Sequence, residues 1–252
     1  MHKIFTKTVF VGKKVLFLPS CHSTNAIASQ LVNNHDTTNG QVVITDYQTE
    51  GRGQRGNSWE SEPGENILIS VLFDVSFLDA TESFQLTIMA SLAISDSLNE
   101  YLPTKTKIKW PNDIYVDNRK ISGMLIENNI VSGTIESTIV GLGINVNQSH
   151  FAEKKATSLK LECKQKINKN EFLELCILNL EKRYFQLRKS GIRDMKKEYI
   201  SRFYWVDEIH VFKSDGEYFN GKILDVDNSG KLRLELEEGQ RVFDYKEIEF
   251  VK

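Results

Sequence analysis

Cysteine and proline are both scarce in this sequence, with three of one and four of the other in 252 residues. Cys21, Cys163 and Cys176 lie far apart, are odd in number and form no C-x-x-C pair. This argues against a disulfide scaffold or a structural zinc site, and a reducing cytoplasm fits. The five histidines are equally scattered, so no metal cluster is expected. An excess of positive charge is missing too: 32 Lys and Arg against 34 Asp and Glu leave a formal charge of -2. No global basic field is there to recruit nucleic acid. No apolar run approaches the roughly 20 residues that span a bilayer. The opening "MHKIFTKTVFVGKKVLFLPS" is broken by Gly12, Lys13 and Lys14 and does not read as a signal peptide. Repeats and low-complexity segments are absent as well.

What is present is an ordinary globular balance, 40% hydrophobic and 26% charged. The length suits one large domain, or one large and one small. "KKVLFLPS" reads as a short strand, and "STNAIASQLVNN" as a helix with Ser23 or Thr24 as N-cap. "QVVITDYQ" is a strand running into a glycine-rich loop. "ENILISVLFDV" is apolar enough to be a strand covered on both faces. "ESFQLTIMASLAISDSLNEYL" is a helix, followed by two strands, "KIKWPNDIYVD" and "RKISGMLIEN", joined by "DNRK". "STIVGLGINVN" is a further strand. "NEFLELCILNLEKRYFQLRKSG" is a helix stopped at Gly191. After about residue 200, short alternating strands take over: "EIHVFK", "EYFNGKILDVD", "KLRLELEEG" and "QRVFDYKEIEFV". The expected fold is mixed α/β (α+β). Residues 1–200 form a catalytic domain with a mixed central sheet flanked by helices, and residues 201–252 a small β-barrel.

The loop "GRGQRGNSW" carries Gly51, Gly53 and Gly56 in the G-x-G-x-x-G spacing of dinucleotide sites. Such a site needs a helix after the glycines. Here Pro63 and Gly64 follow, then a strand, so that reading fails on context. A P-loop fails on Asn57, where Lys is required, and on the same missing helix. A lone G-x-G-x-x-G is more often a flexible, solvated basic loop, but the residue types here also point to an anion. Clustered glycines let backbone N–H groups approach a ligand, and Arg52 and Arg55 add donors suited to phosphate or carboxylate.

Four other segments carry candidate chemistry, each with a plain structural reading beside it. In "KWPND", Pro111 holds Trp110 extended and Asp113 projects from a strand end; alone, the stretch reads first as an ordinary strand with an aromatic core residue. In "RKISGMLIEN", Lys120 precedes Gly123, a strand glycine of the kind that admits a ligand or a second backbone; alone, Lys120 reads first as a surface lysine flanking a turn. "GLGINVN" offers a strand whose backbone lies against a flat ligand, or one packed tightly under a helix. In "CHSTN", the hydroxyls of Ser23 and Thr24 cap a helix or bind a neutral polar headgroup.

In series, these segments resemble the motifs of biotin protein ligases. They run "STN", then Q-x-x-GRG-x-x-G-x-x-W from Gln48 to Trp59, "KWPND", K-x-x-G-x-L-x-E from Lys120 to Glu127, and G-x-G-I-N from Gly141 to Asn145. The resemblance covers about residues 20 to 150, and the small C-terminal barrel matches the family's layout. It implies the catalytic fold, ATP and biotin as substrates with Mg2+, and two steps: formation of biotinoyl-5′-AMP, then transfer to one lysine of a biotin carboxyl carrier domain of a biotin-dependent carboxylase. It places Ser23, Thr24 and Gln48 at the biotin headgroup. Gly51, Arg52, Gly53, Arg55 and Gly56 cover the carboxylate and the adenylate phosphate, helped by Trp59. Lys120 and Gly123 fall at the reacting centre, and Asn145 on the nucleotide side. Lys120 and Arg52 are the candidate catalytic cations, and Asp113 the candidate that orients or deprotonates the acceptor lysine. A lipoate or octanoate ligase is the neighbouring alternative.

Two departures bear on behaviour. The family loop is often GRGRxGRxW; here Gln54 and Asn57 replace two arginines, so faster escape of the adenylate is expected. About 20 residues precede "STN", too few for the winged helix-turn-helix of relatives that repress biotin synthesis. The expectation is a ligase without DNA or membrane partners, acting as a monomer or homodimer.

Overall fold

The computed structural model describes residues 5–251, apart from the side chain of Arg55. A seven-stranded mixed sheet occupies the first 144 residues in the order β1-β2-β3-β7-β6-β5-β4. Its strands are β1 (Val15–Leu18), β2 (Val42–Thr45), β3 (Ile67–Asp74), β4 (Thr106–Lys109), β5 (Asp113–Val116), β6 (Arg119–Val131) and β7 (Thr134–Ile144). β1 and β2 run parallel because helix α1 (Thr24–Asn33) carries the chain back between them; the other ladders are antiparallel.

Strand alternation assigns the two faces. On β7, Val140, Leu142 and Ile144 point into the main core, where helices α2 (Phe84–Asn99) and α4 (Lys169–Ser190) pack. Ile139, Gly141 and Gly143 face the other way. Around Ile139 that side is closed by α1, through a small cluster of Ala28, Val43, Leu72 and Ile139. β3 is buried along all but its last residue, as its unbroken apolar run predicts.

A five-stranded antiparallel sheet follows, in the order β11-β10-β9-β8-β12. It comprises β8 (Ile209–Ser214), β9 (Glu217–Val226), β10 (Leu232–Leu236), β11 (Gly239–Phe243) and β12 (Glu249–Phe250). Leu232 and Leu234 turn inward, as the alternation in "KLRLELEEG" requires. Buried Phe212, Ile223, Val226 and Phe243 belong to the same continuous apolar cluster as the core of the first sheet.

The differences from the sequence reading lie at turns. "KIKWPNDIYVD" is two strands, β4 and β5, folded back on each other at a cis Trp110–Pro111 bond. A proline at a turn does not interrupt the ladders on either side, so the strand signal ran straight through it. "QRVFDYKEIEFV" likewise divides into β11 and β12. Short α3 (Leu159–Cys163) and α5 (Arg193–Ser201) were not foreseen. Ser23 occupies the N-cap position of α1, but its hydroxyl makes no capping bond.

The segment after α5 lies along β4, with Ile108 N–H donating to Arg202 O at 2.8 Å and Tyr204 N–H to Ile108 O at 2.9 Å. This covers the sheet's otherwise open edge. The approach is held by a cluster of charges. The Arg183 guanidinium donates to both Glu198 oxygens at 2.7 Å and to Asp96 at 2.8 Å, and Arg202 bonds the same two acids. Hydrogen bonds from Arg183 hold the Glu198 carboxyl below its ordinary value, against the opposing effect of desolvation. A depressed folded value stabilises above the unfolded carboxyl range and is lost as pH falls through it. Glu198→Gln is therefore expected to cost about 1–2 kcal/mol at neutral pH, the lower figure allowing for solvent screening. In urea unfolding, the gap between wild type and variant should narrow as pH falls below the ordinary carboxyl range toward the depressed folded value. A gap that does not narrow at all as the solution is acidified would contradict the assignment.

Candidate active site

The site is built on the face of the sheet where side chains are missing. Gly123 of β6 and Gly143 of β7 are cross-strand partners, and Gly141 pairs with Leu125 one step along. The backbone there forms a flat floor. A Cβ on Gly143 would stand 2.3 Å from the Trp59 indole, and one on Gly141 would stand 2.1 Å from Asn25 Oδ1. Side chains from elsewhere thus rest directly on the sheet, which explains the small residues at the centre of "GLGIN".

Two segments lie over the floor. The first is the entry to α1. Residues 21–24 run beside 47–50, with Cys21 N–H donating to Tyr47 O and Thr49 N–H to Cys21 O. This brings the Gln48 carboxamide to Thr24, whose N–H and hydroxyl both donate to Gln48 Oε1, at 2.8 and 3.1 Å. The Ser70 hydroxyl, from β3, reaches Thr24 Oγ1 at 2.8 Å and Asn25 Oδ1 at 2.6 Å. Asn25 Nδ2 donates onward to Leu125 O and Glu127 Oε2. Ser23, Thr24 and Asn25 are all nearly fully buried. Their polar groups form a fixed set of neutral donors and acceptors, suited to an uncharged polar ring.

The second segment is the glycine-rich loop, which folds as a compact ribbon. Trp59 N–H donates to Gly51 O, Arg52 bridges Ser58 and Gly53 N–H donates to Asn57 O, with a short helical turn at Gln54–Gly56. The ribbon lays the Trp59 ring across Gly123 and Gly143, and its buried Nε1 finds no acceptor among the described residues. The enclosed space below is only about 70 Å³, room for a few waters. A flat ligand on the floor requires the indole to shift.

Asp113 opens β5 directly after the cis-proline turn, and Lys120 lies near the start of β6. Lys120 Nζ is 2.7 Å from Asp113 Oδ1 and 5.4 Å from the centre of the Trp59 ring. Trp59, Asp113 and Lys120 form a wall shared with a second, wider cavity of about 780 Å³. That cavity also meets Gly56, Tyr115, Asn145 and residues 151–156. Burial first, and the Asp113 carboxylate next, push the Tyr115 phenol well above its usual range. Asn145 donates from Nδ2 to Thr157 O at 3.0 Å, which fixes the amide's orientation. Its Oδ1 is buried and accepts nothing among the described residues. An orphaned buried acceptor beside a cavity points to a donor on a ligand.

Most of the residues singled out from the sequence therefore converge. Ser23, Thr24, Gln48, Arg52, Gly53, Trp59, Asp113, Lys120 and Gly123 line the first cavity; Gly56 and Asn145 line the second. Gly51 stands behind the ribbon as the acceptor for Trp59 N–H. The side chain of Arg55 lies outside the described residues. Gln54 and Asn57, the two departures, both face the first cavity. Sequence reasoning gave no role to Asn25, Ser70, Asn112 or Tyr245. Asn25 and Asn112 sit inside "STN" and "KWPND", so a signal was there; Ser70 and Tyr245 carried none. Among the described residues no three His, Cys, Asp or Glu side chains converge as a metal site. No helix among them is long and apolar enough to cross a membrane.

Comparison with known proteins points one way. The Biotin/lipoate A/B protein ligase family matches residues 17–145. The bifunctional ligase/repressor BirA of Bacillus subtilis is 31% identical over 248 residues, spanning 96% of this chain and 76% of its own. A biotin–[acetyl-CoA-carboxylase] ligase of Mycobacterium tuberculosis is 27% identical over 219 residues, spanning 85% of this chain and 80% of its own. In three dimensions the fold is similar to that of the Aquifex aeolicus biotin protein ligase solved in complex with biotin and ATP. The TM-score is 0.79 at 24% identity, over 95% of this chain and 99% of that one.

Proposed function

The chain belongs to the Biotin/lipoate A/B protein ligase family, and on that footing we propose that it is an ATP-dependent biotin protein ligase acting through an acyl-adenylate. The observation that carries this reading is Lys120, a cation on the wall common to two adjoining cavities. One cavity offers neutral hydrogen-bonding groups over a glycine floor, the other an orphaned amide acceptor. Two substrates meeting at one cation is the arrangement that acid activation by ATP requires.

In the first step, the biotin carboxylate attacks the α-phosphorus of ATP, forming the acyl–phosphate bond and releasing pyrophosphate. Ser23, Thr24 and Gln48 bind the ureido ring and the glycine floor takes the flat body. Asn145 Oδ1 accepts from the exocyclic amine of the purine. Carboxylate and phosphate repel, and Lys120, Arg52 and the N–H groups of the ribbon offset that repulsion as charge develops. Magnesium arrives with the phosphates as MgATP, part of the substrate. In the second step, a lysine amine of a biotin carboxyl carrier domain attacks the mixed anhydride, forms the amide and releases AMP. Asp113 orients that amine and takes its proton. Water is kept from the anhydride by the ribbon and Trp59.

Residues 1–200 and 201–252 are taken as the two units of this enzyme, and the cytoplasm as its location. Operator binding is not part of the proposed activity, and a gel shift with the adenylate present tests that. The reading itself is tested with purified protein, biotin, MgATP and a carrier domain. Biotin should appear on one carrier lysine, and lipoate should substitute poorly. No ATP-dependent transfer, or a preference for lipoate, would overturn it.

Gln54 and Asn57 replace cations at the cavity rim, which weakens retention of the phosphate. Gln54→Arg is expected to slow release of biotinoyl-AMP by about 3- to 10-fold, the effect of one added charge-assisted contact of about 1 kcal/mol. Stopped-flow release from wild type and variant measures it; equal rates would exclude a role for position 54.

A further inference from the structure

The turn that carries Asp113 is fastened to the C-terminal sheet. Trp110 is almost fully buried, and its Nε1–H donates to Gly230 O at 2.8 Å across 120 residues of sequence. Gly230 ends the turn from Asp227, between β9 and β10. The Asp227 carboxylate accepts there from the N–H and hydroxyl of Ser229 and from the N–H of Lys231. Gly230 has φ of +90°, and a Cβ on it would lie 2.2 Å from the Phe84 ring of α2, so the backbone sits directly on that ring. From the same C-terminal unit, Tyr245 packs edge-on against Trp110, with ring centres 5.9 Å apart. Tyr245 also lines the first cavity beside Asn112 and Asp113.

On its other sides the turn is bonded at each residue. Tyr199 hydroxyl donates to Pro111 O at 2.7 Å, Met124 N–H donates to Asn112 O at 3.1 Å, and Asn112 Nδ2 donates back to Met124 O. Asp113 then pairs in register with Gly123. Removing the Trp110 bond releases one corner of an otherwise fully bonded turn, and that corner lies three residues from the Asp113 carboxylate.

We propose that the C-terminal sheet is part of the transfer machinery: the Asp227–Gly230 turn positions Asp113 through Trp110, and Tyr245 supplies the cavity wall beside it. This rests on the ligase reading above and on the role given there to Asp113. Trp110 is a positioning residue, since it acts through Asp113. The C-terminal sheet thereby governs the second half-reaction more than the first. Adenylate formation draws on Lys120, Arg52 and the α1 groups, all held by the first sheet and the ribbon.

The test is Trp110→Phe, which keeps the ring packing and removes the N–H. Two rates are measured on the intact protein: biotin-dependent ATP–pyrophosphate exchange, and single-turnover transfer from preformed biotinoyl-AMP to a carrier domain. Transfer kcat should fall about 10-fold or more, with carrier-domain KM within about twofold and exchange within about threefold, as expected when a reacting group is misplaced. Combining Trp110→Phe with Asp113→Asn should add no loss beyond that of Asp113→Asn alone, because both remove the same positioned group. Gly230→Ala, which pushes the acceptor carbonyl off the indole from the other side, should show the same selectivity and serves if the first variant folds poorly. Unchanged transfer, an equal fall in both half-reactions, or fully multiplicative losses in the double variant would overturn the inference. A wild-type protein that transfers no biotin overturns the ligase reading itself, and this inference with it.

Discussion

Lys120→Gln is expected to lower adenylate formation by roughly 10²- to 10³-fold, the loss seen when one preorganised charge stabiliser is removed from a site. The substitution keeps most of the length and a hydrogen-bonding end, so the charge is the main thing lost. Two unit charges about 4 Å apart repel by about 4 kcal/mol at the effective dielectric of a protein surface. In the proposed mechanism the biotin carboxylate and the α-phosphate meet that repulsion beside Lys120. The ion pair at 2.7 Å adds a second effect. Without Lys120, Asp113 faces the incoming phosphate as an uncompensated negative charge. Adding Asp113→Asn to Lys120→Gln should therefore recover part of the pyrophosphate exchange, while transfer stays low because of the part proposed for Asp113 in that step. Such non-additivity is the signature of two groups in contact. Exchange assays on the two single variants and the double variant decide it. A Lys120→Gln protein with exchange within threefold of wild type would remove Lys120 from the mechanism.

Gly141→Ala is the second large effect, and it acts through binding. The new methyl would stand 2.1 Å from Asn25 Oδ1 and 2.7 Å from its Cγ. The amide has to rotate away, since the strand cannot retreat without breaking its ladders to β3 and β6. Rotation breaks the Ser70 bond at 2.6 Å and the Glu127 bond at 2.7 Å, and it unsettles Thr24, which shares the Ser70 hydroxyl. The Ser23–Thr24–Gln48 set, proposed to hold the ureido ring, then no longer presents fixed partners. Biotin affinity should drop about 10- to 100-fold, the equivalent of about 1.4–2.8 kcal/mol. Overpacking should cost about 1–3 kcal/mol of stability. KM for ATP should change little, because Asn145 and the second cavity lie on the far side of Lys120. Calorimetric titration with biotin and a thermal melt measure the two costs separately. A folded variant with wild-type biotin affinity would contradict the assignment of the α1 end as the headgroup site.

Both variants fall in stretches that already stood out in the sequence as candidates. Lys120, Asp113, Gly123 and Asn145 were singled out as candidates because their stretches, taken in series, resemble the motifs of biotin protein ligases; each stretch alone also reads as ordinary structure. Gly141 and Gly143 share a face because strand alternation puts them there. Thr24 meets Gln48 because a helix start runs beside a short extended segment. What the stretches did not reveal was their use. "KWPND" read as continuous strand although the chain reverses at Pro111, because the residues on either side have ordinary strand character. The capping signal of Ser23 and Thr24 was read correctly as a helix start, yet neither hydroxyl caps it; the Thr24 hydroxyl is bonded to Gln48 and Ser70 instead. The "GLGINVN" strand was open to a flat ligand or to tight packing under a helix, and in this structure the Trp59 indole rests on Gly143.

The resemblance of the motif series to biotin protein ligases named the candidate groups for an acyl-adenylate, and by itself the sequence determined the strands, the long helices and the two-part texture. These follow from periodicities of two and 3.6 residues and from local turn chemistry, which act over a few neighbours. Only the tertiary structure decided that Lys120 pairs with Asp113 between two cavities, that Ser70 completes the hydroxyl network, and that Trp110 is bonded to Gly230. Those contacts join residues up to 120 positions apart. They depend on how strands are ordered in a sheet and on which turn meets which ring, and no local pattern of residues encodes that choice.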